Sequence, residues 1–170
     1  CGGDGESDRA GDAPDAPAGG MTLTSPAFAD GEAIPAEFTA DGEDVSPPLR
    51  FADVPAEAES LTLIVDDPDA PAGTWVHWVA FDIPPDAHGL PRGAGSTGPD
   101  SFREGQNSSG DLGYAGPAPP PPDPPHRYRF RLYALNTKLS LLAGADKQAV
   151  LDAMAGHVVA EAEFVGTYDR

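Results

Sequence analysis

Carboxylate, imidazole and indole side chains crowd into the segment between positions 66 and 78, which reads DDPDAPAGTWVHW. It contains three aspartates, one histidine and both tryptophans of the chain. A carboxylate beside an imidazole can move a proton, hold a metal ion or bind a polar ligand, and an indole adds a flat apolar wall. We therefore expect a functional site at this segment.

Two predicted strands present these side chains. The β-rich run Leu61–Val65 ends in Asp-Asp-Pro, which indicates a strand with carboxylates at its C-terminal end, and Trp75–Phe81 indicates a second strand. Because side chains alternate along a strand, Asp67 continues the apolar face of the first strand. By the same rule His77 shares a face with Trp75, Val79 and Phe81. Asp67 and His77 are expected to meet at the rim of one core.

A second informative region begins with the glycine-rich loop GDLGYAGP at 110–117. Closely spaced glycines allow a ligand to approach main-chain N–H groups, which can cradle an anion. The following run HRYRFRLY at 126–133 predicts a strand with His126 and Tyr128 on its buried face. Its three arginines lie on the other face, where solvent or paired carboxylates would receive them.

These segments resemble the phosphatidylethanolamine-binding protein family, in the bacterial and archaeal branch called Raf-kinase-inhibitor-like. The resemblance spans about Met21 to Arg170. It implies a mainly all-β fold, an antiparallel Greek-key β-sandwich with one or two short peripheral helices and a ligand pocket at one end. The motifs that carry it are SPAF (25–28), DGEDVSPPL (41–49), DPDAP (67–71), WVHW (75–78), GYAGP (113–117), HRYRFRLYAL (126–135) and VGTY (165–168).

The resemblance also implies a small anion pocket for phosphate-type or phosphoethanolamine-like ligands. In this pocket two imidazoles, a phenol and loop N–H groups would donate to phosphoryl oxygens. Carboxylates repel a bare anion, so we expect a zwitterionic ligand to outcompete phosphate, with affinity rising as the pH falls through the histidine titration. The proline-rich run 118–125 differs from the short Pro-Pro-x-Gly link of the family, so the pocket rim should differ. The implied ligand-binding residues are Asp67, Asp69, Trp75, His77, Gly116, Pro117, His126 and Tyr128.

Other functions fit the residues less well. A hydrolase using Asp67 and His77 as an acid/base pair lacks an evident nucleophile, and no G-x-S-x-G motif occurs. Zinc held by His77, His126 and a carboxylate is conceivable, but no tight histidine spacing supports it, so no metal or cofactor is expected. A protein inhibitor of a kinase or protease would act through the loop 86–109 or the proline-rich run. We therefore favour a non-catalytic binding module.

The remaining segments give weaker indications. A short helix is predicted over 145–156 and a last strand over 158–165. Residues 34–38 should be extended, and 86–109 should be a long connection without regular structure. Asp44 and Ser46 would either shape the pocket wall or make turn contacts.

Charge is the strongest compositional signal. The chain carries 28 acidic against 10 basic residues, a formal net charge of −18. This field repels phosphate backbones and argues against nucleic-acid binding. A surface rich in carboxylates and poor in lysine is also typical of a protein that works in strong salt, which predicts a halophilic source. No apolar run approaches the roughly 20 residues that span a bilayer.

The first 20 residues differ in composition from the rest of the chain. Residues 1–20 are rich in Gly, Ala, Asp and Pro and predict a disordered tether, whereas residues 21–170 form the domain. The single cysteine, Cys1, resembles the lipid-modified residue of a mature lipoprotein, which predicts an extracytoplasmic protein anchored to the membrane. A chain cut so that a cysteine comes first, and a cytoplasmic location, are the alternatives. The sequence identifies no protein partner and leaves a homodimer open.

Overall fold

The computed structural model describes residues 21–71, 73–94, 102–121 and 123–169. Cys1 and the tether predicted over 1–20 lie outside these described residues. Within them, no helix is both long and apolar enough to cross a membrane.

The described residues form two antiparallel sheets, which confirms the predicted fold class. In chain order the strands are β1 (Thr22–Thr24), β2 (Leu49–Ala52), β3 (Ser60–Asp67), β4 (Trp75–Ile83), β5 (Gly89–Leu90), β6 (Arg103–Glu104), β7 (His126–Leu135) and β8 (Val158–Tyr168). The smaller sheet has the order β1-β2-β5 and the larger sheet the order β6-β4-β3-β7-β8. A 3-10 turn spans Ala36–Phe38, and helix α1 spans Lys147–Met154.

The order of the larger sheet places the candidate site. Strand β7 returns after a long connection to lie beside β3, as the fourth strand of a Greek key does. The antiparallel register pairs Val65 with Phe130 and Asp66 with Arg129. The C-terminal end of β3 therefore lies beside the start of β7. This register brings the aspartates of the first predicted segment close to His126.

The larger sheet is buried on both faces. Its inner face packs against the smaller sheet through residues such as Leu63 and Phe130, which belong to one apolar cluster. Its outer face packs on α1, where Phe81 and Val150 belong to a second cluster. Burying both faces explains why β3 reads as a continuous apolar run rather than an alternating one.

The alternation predicted along β4 is wrong beyond His77. Val65 pairs with Trp78 and Asp66 pairs with Val76, so His77 is an extra residue in a β-bulge. After the bulge, Trp78 belongs to the inner cluster, whose Tyr128 also contacts the ring of His77, while Val79 packs on the outer side. Pairing between strands decides the register, and the residue pattern of a single strand cannot show it.

Three other local predictions need correction. The stretch 34–38 is not fully extended, because Ala36–Phe38 forms the 3-10 turn after Pro35. The connection 86–109 contains the two short strands β5 and β6, which are too short to leave a pattern in the sequence. Helix α1 is shorter than predicted and begins at the cap Asp146, whose side chain accepts a hydrogen bond from the N–H of Ala149.

Candidate functional site

A pocket of about 280 Å³ opens where the end of β3, the start of β4 and the start of β7 meet the loop 109–120. Six of the eight predicted ligand-binding residues line it, namely Asp67, Trp75, His77, Gly116, His126 and Tyr128. The other lining residues are Ala70, Pro71, Ser109, Ala115, Ala118, Pro119 and Pro120. The wall is therefore mostly apolar, with a few polar groups.

Asp69 and Pro117 do not line the pocket. The carboxylate of Asp69 accepts hydrogen bonds from the backbone N–H and the guanidinium of Arg127. The hydrogen bond from Arg127 lowers the pKa of Asp69 to about 2. Pro117 is buried, and its carbonyl accepts from the N–H of Ala40. Both residues fasten the loops that frame the pocket.

His126 is held between two carboxylates. Its Nδ1 lies 2.7 Å from Asp67 Oδ2, and its Nε2 lies 3.0 Å from Asp123 Oδ2. Because an aspartate oxygen accepts, both ring nitrogens donate, which is the arrangement of an imidazolium. Burial opposes this charge, but the hydrogen bonds to Asp67 and Asp123 outweigh it and raise the pKa of His126. His126 is therefore a buried cation of the pocket.

His77 has the opposite protonation state and is neutral. Its Nδ1 lies 2.6 Å from the carbonyl oxygen of Ala115, which can only accept, so Nδ1 carries the proton. Burial lowers the pKa of His77, and the hydrogen bond to Ala115 and the nearby Asp67 only partly oppose this. Nε2 has no hydrogen-bond partner among the described residues. The neutral ring therefore has Nε2 available as an acceptor.

The ring of Tyr128 contacts both pocket histidines. The edge of His77 meets the ring of Tyr128 at a centroid distance of 5.2 Å, and His126 stacks on Tyr128 at 6.3 Å. Trp75 lies among the lining residues and keeps 38% of its surface exposed. A cationic group entering the pocket therefore has an exposed indole to meet.

Two amides of the predicted anion cradle are already engaged within the protein. The N–H of Ala115 donates to the carbonyl of His77, and the N–H of Gly116 donates to Asp44 Oδ1 at 2.6 Å. A Cβ on Gly116 would lie 2.5 Å from the same Asp44 oxygen and 2.8 Å from the Phe38 carbonyl oxygen. The glycine thus allows a close backbone approach that holds the loop. Its amide is not left for a ligand.

Sequence reasoning missed Asn107 and Asp123 and left the role of Asp44 open. Asp44 was expected only to shape the wall or make a turn, yet its carboxylate caps the loop amide. Asn107 is buried and ties the loop together, because its amide donates to the Gly113 carbonyl and its oxygen accepts from the N–H groups of Ser109 and Asp111. Asp123 was treated only as part of the proline-rich run. An asparagine within a Ser/Gly turn was the one recognisable signal.

The zinc alternative gains no support from the geometry. Within the described residues, no three side chains of His, Cys, Asp or Glu are grouped as the ligands of a metal ion. Both nitrogens of His126 are engaged by carboxylates, so this ring has no lone pair for a metal.

Known proteins resemble this chain over nearly all of the described domain. The family model for phosphatidylethanolamine-binding protein matches residues 24–169. A UPF0098 protein of Methanothermobacter thermautotrophicus is 53% identical over 152 residues, which cover 88% of this chain and 99% of the relative. A solved structure of a proposed phosphatidylethanolamine-binding protein homologue from Chlamydia trachomatis is 43% identical with a TM-score of 0.83, covering 90% and 99% of the two chains. Escherichia coli YbcL, described as a new member of the mammalian PEBP family, is 30% identical with a TM-score of 0.82, covering 88% and 98%.

Proposed function

The chain belongs to the phosphatidylethanolamine-binding protein family, and from this premise we propose that its pocket binds a zwitterionic phosphomonoester of the phosphoethanolamine type without transforming it. The observation that supports this most directly is the opposite state of the two pocket histidines. His126 is held as a cation, and the neutral His77 has an acceptor nitrogen, Nε2, that has no partner among the described residues. A ligand that carries both charges matches this pair of groups.

The ammonium end of the ligand meets acceptors. Asp67 and His77 both line the pocket, and a carboxylate oxygen and Nε2 of a neutral imidazole can each accept from an ammonium N–H. The exposed face of Trp75 adds a cation–π contact, which contributes about 0.5–1 kcal/mol at an exposed site. Repulsion between a cation and the pocket is small, since His126 is already paired with two carboxylates.

The phosphate end meets the imidazolium of His126. A hydrogen bond between an imidazolium and a phosphoryl oxygen is charge-assisted and stronger than one between neutral groups. Inorganic phosphate can use this contact but brings no cation to balance the neighbouring carboxylates. We therefore expect phosphoethanolamine to bind more tightly than inorganic phosphate.

A hydrolase with a hydroxyl nucleophile would require that hydroxyl to be hydrogen-bonded to a pocket histidine. In the described part of the chain neither His77 nor His126 has such a bond, although Ser109 belongs to the pocket wall. No contact favours inhibition of a kinase or protease either, so that role remains a prediction for the loops.

Calorimetric titration of the full chain at pH 6.5 with phosphoethanolamine, ethanolamine and inorganic phosphate tests the proposal. We expect saturable binding, tightest for phosphoethanolamine. His77→Ala, which removes the acceptor, should weaken it about tenfold, the size of one hydrogen bond to a charged group. His88→Ala is the matched control, because His88 is exposed and does not line the pocket. Absence of binding by the folded wild-type protein would refute the proposal.

Phosphoethanolamine chemistry occurs both in free metabolites and in lipid headgroups, so a second arm of the experiment separates these sources. Co-sedimentation with vesicles of phosphatidylethanolamine and phosphatidylcholine would show whether the pocket takes the headgroup from a bilayer. Selective binding to phosphatidylethanolamine that is lost in His77→Ala would indicate the lipid. Binding of the free compound alone would indicate a soluble ligand.

A further inference from the structure

The second partner of His126 has no place in the function derived so far. Asp123 comes from the proline-rich run and lies three residues before His126 in the sequence. Its carboxylate accepts from Nε2 of His126, while Asp67 accepts from Nδ1. An imidazolium has only two N–H donors, so His126 has none left for a ligand. A phosphoryl group can contact this cation only if one carboxylate leaves.

The two carboxylates are not equally able to leave. The side chain of Asp67 is 4% exposed, and its second oxygen accepts from the backbone N–H of Asp69 at 2.8 Å. The side chain of Asp123 is 36% exposed, and its only side-chain partner among the described residues is His126. Displacing Asp67 would bury an unpaired charge, whereas a displaced Asp123 carboxylate returns to water. Asp123 is therefore the carboxylate that can leave His126.

We propose that Asp123 determines which phosphorylated ligands the pocket accepts, because its carboxylate must leave His126 before a phosphoryl group can bind there. This rests on the proposed function and names the residue that sets its specificity. In the free protein Asp123 holds the Nε2–H of His126, the donor that a phosphoryl oxygen would need. A bare phosphate exchanges one anion for another and then lies beside the displaced carboxylate. A ligand with an ammonium group offsets that repulsion, so Asp123 favours zwitterions over simple anions.

Substitution of Asp123 separates this role from a merely structural one. In Asp123→Asn the amide keeps the size of the side chain but removes its charge, and Asp123→Ala removes the acceptor altogether. We expect both variants to bind inorganic phosphate about tenfold or more tightly than the wild type, the effect of releasing one charge-assisted hydrogen bond. The preference for phosphoethanolamine over phosphate should shrink in parallel. A structural role would weaken both ligands together.

The measurement is calorimetric titration of the 170-residue chain and its variants at pH 6 with inorganic phosphate and with phosphoethanolamine. Asp86→Asn is the matched control: Asp86 is exposed, does not line the pocket, and its substitution changes the net charge by the same amount. Tighter phosphate binding in the Asp123 variants but not in the control supports the inference. If phosphoethanolamine binds to every protein and phosphate affinity is unchanged, the inference fails and the proposed function stands. If neither compound binds to any folded variant, both fail.

Discussion

Asp66 and Asp67 are neighbours in the sequence, yet their carboxylates lie on opposite faces of the larger sheet. Asp66 is fully buried on the outer face and accepts hydrogen bonds from Arg129, Arg131 and Lys147. Asp67 lies on the inner face and accepts from His126. Because successive side chains of a strand point to opposite faces, the Asp66 carboxylate stabilises the fold, whereas the Asp67 carboxylate belongs to the pocket.

Asp66→Asn should destabilise the protein without removing the pocket. Burial raises the pKa of Asp66, but Lys147, Arg131 and Arg129 outweigh it and lower that pKa below its usual value of 3.8. Removing one partner of a buried ion pair costs about 3–5 kcal/mol of unfolding free energy. Because the folded pKa is depressed, this contribution is complete above about pH 4 and is lost as the pH falls through the folded value.

Urea denaturation at pH 7 and pH 3 measures this effect. The difference between wild type and Asp66→Asn should be large at pH 7 and smaller at pH 3. Asp86→Asn, at an exposed position, should stay within about 0.5 kcal/mol of the wild type. Equal stability of Asp66→Asn and wild type at pH 7 would show that the ion pairs of Asp66 with the three cations do not stabilise the fold.

An NMR pH titration should find the pKa values of the two pocket histidines shifted in opposite directions from 6.5. The carboxylates of Asp67 and Asp123 raise the pKa of His126 above 6.5, while burial lowers that of His77 below it. Nitrogen-15 shifts should also show neutral His77 with its proton on Nδ1. In Asp123→Asn the pKa of His126 should fall, because one charged acceptor is lost. A His77 that titrates above His126 would contradict the assignment.

The longer strands could be predicted from the sequence because they depend on local pattern, whereas most of the pocket residues were implied by the resemblance to the family. The apolar run of β3 and the alternation of β7 are short-range features, and antiparallel pairing then brings Asp67 to His126. The bulge at His77 was not predictable from β4 alone, since it arises from pairing with β3. The residues that line the pocket were easier to predict than the hydrogen-bonding atoms that they leave available to a ligand.

The loop amides show most clearly that available atoms are hard to predict, because the amides of Ala115 and Gly116 already donate to other groups of the protein. A glycine-rich loop near a histidine suggests free N–H donors, yet the partner of the Gly116 amide is Asp44, 72 positions earlier in the chain. No local pattern reveals a contact at such a separation. The link between Asp123 and His126 is short in sequence, but it depends on the backbone path of the proline-rich run, which residue types alone do not give.

Asp44→Ala should loosen the loop and weaken ligand binding. It removes the acceptor of the Gly116 N–H, and an unpaired buried donor costs about 1–3 kcal/mol of unfolding free energy. Asp44 has a φ of 59°, so alanine also adds backbone strain there. Asp53→Ala, at a φ of 60°, carries the same strain without a contact to the loop and is the matched control. Asp44→Asn keeps an acceptor and tolerates the backbone angle, so it should behave nearly as the wild type in thermal unfolding and in titration.

Salt should stabilise the protein. With a net charge of −18, the folded chain repels itself, and raising the salt from about 0.1 M to 1 M shortens the screening length from about 10 Å to about 3 Å. The free energy of unfolding in urea should therefore rise with potassium chloride concentration. A urea midpoint that is independent of salt would remove the argument for a halophilic source.

The affinity for phosphoethanolamine should have a maximum in its pH profile, instead of the continuous rise with falling pH that the sequence alone suggested. The proposed function needs His126 protonated and His77 neutral, and the raised pKa of the first and the lowered pKa of the second leave a window around pH 6.5. Above the window His126 loses its charge and the phosphate contact weakens. Below it His77 gains a proton on Nε2 and no longer accepts from the ammonium group.

The ligand itself complicates the acidic limb, because the dianion of a phosphomonoester takes up a proton near pH 6. His77→Gln resolves this, since the glutamine side chain keeps an acceptor oxygen but does not titrate. In calorimetric titrations from pH 5 to 8, wild type should lose affinity at both ends. His77→Gln should retain more of its affinity at pH 5 and lose it at pH 8 as the wild type does. An identical acidic limb in both proteins would assign that limb to the ligand and remove His77 from the recognition of the ammonium group.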